Sequence, residues 1–163
     1  EAMIRLSAAY LMMITTTLGV YYLPRLAELK ELSDIKKEVH LGYKYIFPLA
    51  LLGGLSVFLL KDWVIVILFS DSFLPMRELV LWQMIGDSLK IGSWILAYLM
   101  LSKAMTKLFI ATEIVFTITL VLFSYVATDV LGFVGVTIAY LINYALYWVV
   151  MGLLVFKQLR EYK

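Results

Sequence analysis

Residues 77–102, RELVLWQMIGDSLKIGSWILAYLMLS, read as one long apolar helix with an acid and a base set inside it. A helix of this length rises about 39 Å, more than the roughly 30 Å of a bilayer's hydrocarbon core. Asp87 and Lys90 stand three residues apart, so they lie on neighbouring turns of one face. Gln83 and Trp94 extend them into a polar-aromatic stripe spaced i, i+4, i+7, i+11. Charges at lipid depth are costly, so the stripe should face other helices or a hydrated cavity. Two readings stay open. In one, the stripe is part of a substrate or proton path, with Lys90 attracting an anionic headgroup and Asp87 tuning or countering it. In the other, Asp87 and Lys90 are a self-satisfying ion pair that pins this helix to its neighbours.

Outward from this stretch, the composition says the same thing. The chain is 63% hydrophobic and 16% charged, against about 45–50% apolar for ordinary soluble domains. Its mean hydropathy is +0.93, and its charges cluster between long apolar runs. This is the pattern of an all-α integral membrane protein. Cysteine is absent, which removes disulfides, thiol catalysis and thiolate metal sites. The one histidine, His40, lies in a polar loop beside Glu38 without the partners a metal needs. No cofactor is expected. A net charge of +2, spread along the chain, does not suit nucleic acid. An apolar helix begins at once, without signal-peptide architecture, so the chain reads as a fragment or as having lost its N-terminus.

Five stretches are long enough to span, at about 3–23, 45–60, 77–102, 107–127 and 131–156. Pro24 should stop the first. Residues 25–43 carry Leu26, Leu29, Leu32, Ile35 and Val39 between charges, the pattern of an amphipathic connector on the inner leaflet. Residues 61–74 read as an outer interfacial segment, because Lys61 and Asp62 would otherwise sit inside the bilayer. Ten basic residues fall on one side: Arg25, Lys30, Lys36, Lys37, Lys44, Lys103, Lys107, Lys157, Arg160 and Lys163. The other side has Lys61, Arg77 and Arg5. The positive-inside rule therefore makes the C-terminus cytoplasmic and starts the first helix outside.

Further polar groups mark the helices. Arg5, Ala9, Met12 and Thr16 share a face of the first, where Thr15, Thr16 and Thr17 add hydroxyls at mid-depth. Arg5 suits either an outer snorkelling arginine or a headgroup contact. Glu113, roughly 9 Å from Lys107 at helical rise, is a candidate for ion coupling, as is Asp87. Tyr140, Asn143, Tyr144 and Tyr147 recur at i, i+3, i+4, i+7, a face suited to sugar rings or to interhelical packing. No Ser/His/Asp set, phosphate-cradling glycine loop or metal cluster appears, and nothing here looks like a catalytic centre.

The stretches Tyr10–Pro24 (YLMMITTTLGVYYLP), Lys61–Phe73 (KDWVIVILFSDSF) and Met76–Lys90 (MRELVLWQMIGDSLK) carry a family resemblance. They resemble the C-terminal half of Wzx-type polysaccharide-unit flippases, the O-antigen and lipid III flippases of the multidrug/oligosaccharidyl-lipid/polysaccharide exporter superfamily. TTTLxVYYLP and WQxxGDxLK are the specific motifs. The resemblance implies five helices of the C-terminal lobe of a twelve-helix transporter in the bacterial inner membrane. It also implies translocation of an undecaprenyl-diphosphate-linked oligosaccharide to the periplasmic leaflet by alternating access. The N-terminal lobe, membrane lipids, and the pathway's polymerase and chain-length proteins become the implied partners. On this reading Arg5, Gln83, Asp87, Lys90 and Trp94 line the headgroup path, and the tyrosine face with Asn143 meets sugar. The family pattern has an acid where this chain has Ala8, so this chain either couples differently or uses Asp87 or Glu113. An ion-coupled small-molecule exporter of the same superfamily is the alternative, and it predicts a more acidic cavity. A membrane-embedded transferase would need acids or histidines grouped at the interface, where His40 and Glu38 stand alone.

Overall fold

A computed structural model describes residues 2–68 and 71–161. Among these, every regular element is helical. The chain runs through α1 (Ala2–Thr17), a π-helical turn (Leu18–Tyr22), α2 (Leu23–Glu28) and α3 (Leu32–Leu59). It continues through α4 (Lys61–Leu68), a 3₁₀ turn (Asp71–Met76), α5 (Arg77–Ser102), α6 (Thr106–Leu131) and α7 (Phe133–Glu161). Five segments are long and apolar enough to cross a membrane: Arg5–Glu28, Leu32–Leu59, Arg77–Ser102, Thr106–Leu131 and Phe133–Arg160. The protein is an all-α membrane bundle.

The helices run longer than the apolar stretches from which they were read. Pro24 does not end the first helix. Its ring lacks an N–H and would collide with the carbonyl four residues back. The chain widens instead into a π-turn, where the Leu23 N–H reaches Leu18 O, and Pro24 then sits in the first turn of α2. Just before this turn, Thr15, Thr16 and Thr17 each bond back to a carbonyl, Thr16 to Met12 at 2.8 Å. Such bonds compete with the backbone ladder and soften a helix.

The expected connector at 25–43 is divided. Its first residues finish α2, Leu29 and Glu31 are extended, and from Leu32 onward it is the opening of α3. That helix passes through Pro48 to Leu59 without interruption. Of the expected outer segment 61–74, residues 69 and 70 lie outside the described residues, as do 1, 162 and 163.

α5 is the axis of the bundle. Two thirds of its apolar window is buried, against none of α6 and 17% of α3. α7 packs along α5 most closely, α3 and α1 cover other faces, and α6 leans chiefly on α7. The core joins Leu11, Ile14, Leu18, Tyr22 and Leu26 of the first helix with Ile91, Ile95 and Leu99 of α5 and Tyr147 and Met151 of α7. Close approach of α5 and α7 depends on Gly86, where a Cβ would stand 2.5 Å from the Tyr140 ring. A second notch lies at Gly53, which takes the ring of Tyr10.

Two turns fix the ends. After α5 the Ala104 N–H bonds Leu101 O and the Met105 N–H bonds Met100 O, the paired bonds of a Schellman cap. Its left-handed position, usually glycine, is held by Ala104 at φ 58°. Beside it, the Lys103 ammonium donates to Leu26 O at 2.8 Å and to Leu29 O, capping the carbonyl end of α2. Arg25 pairs with Glu28 and with Glu38, tying α2 to α3.

Candidate functional site

The stripe on α5 faces inward, as its polarity requires. Gln83 and Asp87 are buried, Asp87 with no exposed surface. Asp87 is held by three donors. They are the Ser7 hydroxyl of α1, the Gln83 amide at 3.3 Å, and the Tyr140 hydroxyl of α7 at 2.7 Å. The Gln83 amide also reaches Ser7 Oγ at 3.0 Å, closing the ring of contacts. Hydrogen bonds to a charged partner contribute roughly 1.5–3 kcal/mol each, so this knot binds α1 and α7 to α5.

Lys90 is treated differently. Among the described residues it forms no salt bridge with Asp87 within 4.0 Å. Its ammonium lies over three rings instead, 4.9 Å from the centre of Tyr144, 5.1 Å from Trp94 and 5.5 Å from Tyr140. An aromatic bed of this kind holds a desolvated cation by about 2 kcal/mol or more. Lys90, Gln83, Ser7 and Tyr140 all line a cleft of about 480 Å³. Ala8 and Leu11 of α1 form one wall, and Leu120, Val121 and Ser124 of α6 form another.

The α7 face continues beyond the cleft. Tyr144 meets Tyr140 and Tyr147 edge-on, at ring distances of 4.7 and 6.1 Å. Tyr147 donates to Glu113, and Asn143 accepts from Thr119 of α6 at 2.7 Å. A second cavity of about 30 Å³ lies among Glu113, Thr117, Asn143, Tyr144 and Tyr147. Leu120 lines both cavities. Asp87 and Glu113 are thus joined by one run of aromatic side chains, with Lys90 against its middle.

A chain built this way has known counterparts. It is 36% identical over 143 residues to the Lipid III flippase of Escherichia coli (strain K12), and equally so to that of Shigella flexneri. The match covers 88% of this chain. This chain is a homologue of the lipid III flippases. It spans about a third of the length of these curated relatives, 34%. No family model and no solved structure matches it. The family expected from the two motifs is the one found.

In this flippase homologue Gln83, Asp87, Lys90, Trp94, Tyr140, Asn143, Tyr144, Tyr147 and Glu113 come together along α5–α7. Arg5 does not join them on the buried side. Its face of α1, with Ala9, Met12 and Thr16, is exposed. The buried face is Leu6, Ser7, Leu11, Ile14 and Leu18. Ser7 is the residue that the sequence reading missed. A hydroxyl interrupting an apolar stripe at helical spacing was the available signal. Thr119 was missed as well, since a threonine in an apolar helix carries no mark of its partner.

Proposed function

We propose that this chain is part of a transporter that carries a lipid-linked oligosaccharide across the bacterial inner membrane by alternating access. The direction is from the cytoplasmic to the outer leaflet, and the C-terminus is cytoplasmic. The observation that carries this reading is the cleft of about 480 Å³ with Lys90 on its wall, bedded on aromatic rings rather than paired with Asp87. A diphosphate headgroup needs cations in a low-dielectric interior, and Lys90 can turn donors toward it without first breaking an ion pair. Gln83, Trp94, Tyr140 and Tyr144 supply amide, indole and phenol groups for the attached sugar. The apolar tail stays in the bilayer. The names of the curated relatives favour a glycolipid over a small cationic drug, and so does a basic residue on the cleft wall. The rest of the transporter supplies the opposite wall of the cleft.

The test is glycolipid translocation in proteoliposomes by the protein carrying this chain. Lys90→Ala is expected to lower the rate at least tenfold, and Lys90→Arg to retain most of it. Wild-type rates for Lys90→Ala and Arg5→Ala alike would overturn the headgroup role.

A further inference from the structure

The charges of α3 are sorted by face. Lys36, Lys37, His40 and Lys44 are exposed and fall within about 100° of helical arc. Asp34 and Glu38 lie outside that arc, and Glu38 is paired with Arg25. Among the described residues Lys36, Lys37 and His40 form no ion pair or side-chain hydrogen bond. Lys44 rests its ammonium 5.4 Å from the centre of the exposed Tyr45 ring. It is also the last charge on the chain before Lys61. Lys44 therefore marks the level at which α3 passes from the membrane surface into hydrocarbon, where an aromatic ring is at home.

The same arc continues into the apolar part of α3 as Phe47, Leu51, Leu55 and Phe58. With Leu81 and Ile85 of α5 these residues line a groove of about 260 Å³, which shares no residue with the cleft around Lys90. The two helices come together at Gly54, where a Cβ would stand 3.7 Å from Met84 Cβ and 3.8 Å from Ser88 Oγ. The Ser88 hydroxyl is bonded to Met84 O at 2.9 Å, so this wall presents hydrocarbon. Leu51, Leu55, Leu81 and Ile85 leave the groove open to the bilayer, each at least 40% exposed. From Phe47 to Phe58 the helix rises about 16 Å, close to half of the roughly 30 Å hydrocarbon core. The groove thus has the depth of one leaflet, and it begins one turn from Lys44.

We propose that α3 and α5 hold an anionic phospholipid of the bilayer, its phosphate on Lys36, Lys37, His40 and Lys44 and one acyl chain in the groove from Phe47 to Phe58. A lysine near a membrane surface strengthens the hold on an anionic lipid about fivefold. A zwitterionic headgroup brings an ammonium that the lysines repel. Free phosphate reaches the lysines but covers none of the apolar surface. The site is separate from the transport cleft, and the inference does not rest on the transport reading.

The experiment is native mass spectrometry of the purified protein carrying this chain, titrated in detergent with dioleoyl phosphatidylglycerol or dioleoyl phosphatidylcholine. The wild type should hold phosphatidylglycerol at least tenfold more tightly. Lys36→Gln with Lys44→Gln should weaken phosphatidylglycerol at least tenfold and leave phosphatidylcholine unchanged. Lys36→Arg with Lys44→Arg should bind as the wild type does, which separates lost charge from a damaged fold. Lys61→Gln with Arg77→Gln removes the same charge beyond the far end of α3 and should change nothing. Leu55→Trp, which fills the groove from its exposed rim, should weaken phosphatidylglycerol at least threefold, and inorganic phosphate should not displace the lipid. The proposal is overturned if the two lipids bind alike, if the paired glutamine variant at 36 and 44 binds normally, or if the arginine pair loses the lipid. It is equally overturned if the changes at 61 and 77 weaken binding as much, if Leu55→Trp binds normally, or if phosphate competes. Displacement of phosphatidylglycerol by a lower concentration of undecaprenyl phosphate would give the groove to a polyprenyl chain instead, and would overturn it too.

Discussion

Replacing Gly86 with alanine adds one methyl group where α5 and α7 cross closely. The new Cβ would lie 2.5 Å from Tyr140 Cδ1, 2.8 Å from Cε1 and 3.4 Å from the Leu141 Cα. Carbon atoms pack best at about 3.5–4.0 Å, so the ring or α7 must retreat by roughly 1 Å. The Leu141 backbone blocks one direction of escape, and the Tyr140 hydroxyl is tied to Asp87 at 2.7 Å. Overpacking of this sort costs about 1–3 kcal/mol. Losing the bond from Tyr140 to the carboxylate adds about 1.5–3 kcal/mol. A total of about 2.5–6 kcal/mol corresponds to a melting temperature lower by roughly 5–24 °C for a domain of this size. Thermal unfolding of the purified protein in detergent measures this directly. The mechanism makes a sharper demand in a double-mutant cycle. With Tyr140→Ala already present, the methyl group enters empty space, and Gly86→Ala should cost less than about 0.5 kcal/mol. An unchanged melting temperature for the single variant, or equal costs in the two backgrounds, would refute the notch.

Two further perturbations probe the cytoplasmic turn expected between α5 and α6. Ala104→Gly should stabilise the protein by about 1 kcal/mol, because alanine holds a left-handed position that glycine adopts without strain, and a raised melting temperature would show it. Lys103→Met keeps the length of the side chain and removes its donors to Leu26 and Leu29. Amide hydrogen exchange in residues 23–35 should then speed up by at least tenfold, with α6 and α7 unchanged.

The five long apolar helices were legible because apolar length is a local property of the sequence. Their ends were less so. Whether Pro24 stops a helix depends on the π-turn before it, and whether residues 32–44 join the next helix depends on how α3 packs. The site divides in the same way. Asp87 and Lys90 announced themselves by being charged inside an apolar run, and the tyrosines by their spacing on α7. Their pairing was not legible. An i, i+3 acid and base suggest an ion pair, yet Asp87 takes its donors from α1 and α7 as well as from Gln83, and Lys90 turns to aromatic rings. Only the crossing of three helices decides that. The choice between the two faces of α1 likewise rested on Ser7 finding Asp87, a partner 80 residues away.

The π-turn at Leu18–Tyr22 sets a mechanical ratio. Below it, the chain is riveted by Lys103, by Arg25 and by the fully packed Leu18, Tyr22 and Leu26. Above it, the 16 residues of α1 form an arm of about 24 Å. Each degree of bend at the turn therefore carries the far end about 0.4 Å, and ten degrees carry it about 4 Å. Ser7 and Ala8 sit on that arm as one wall of the cleft, so a small change in backbone angle at one end becomes a change in the width of the cleft at the other.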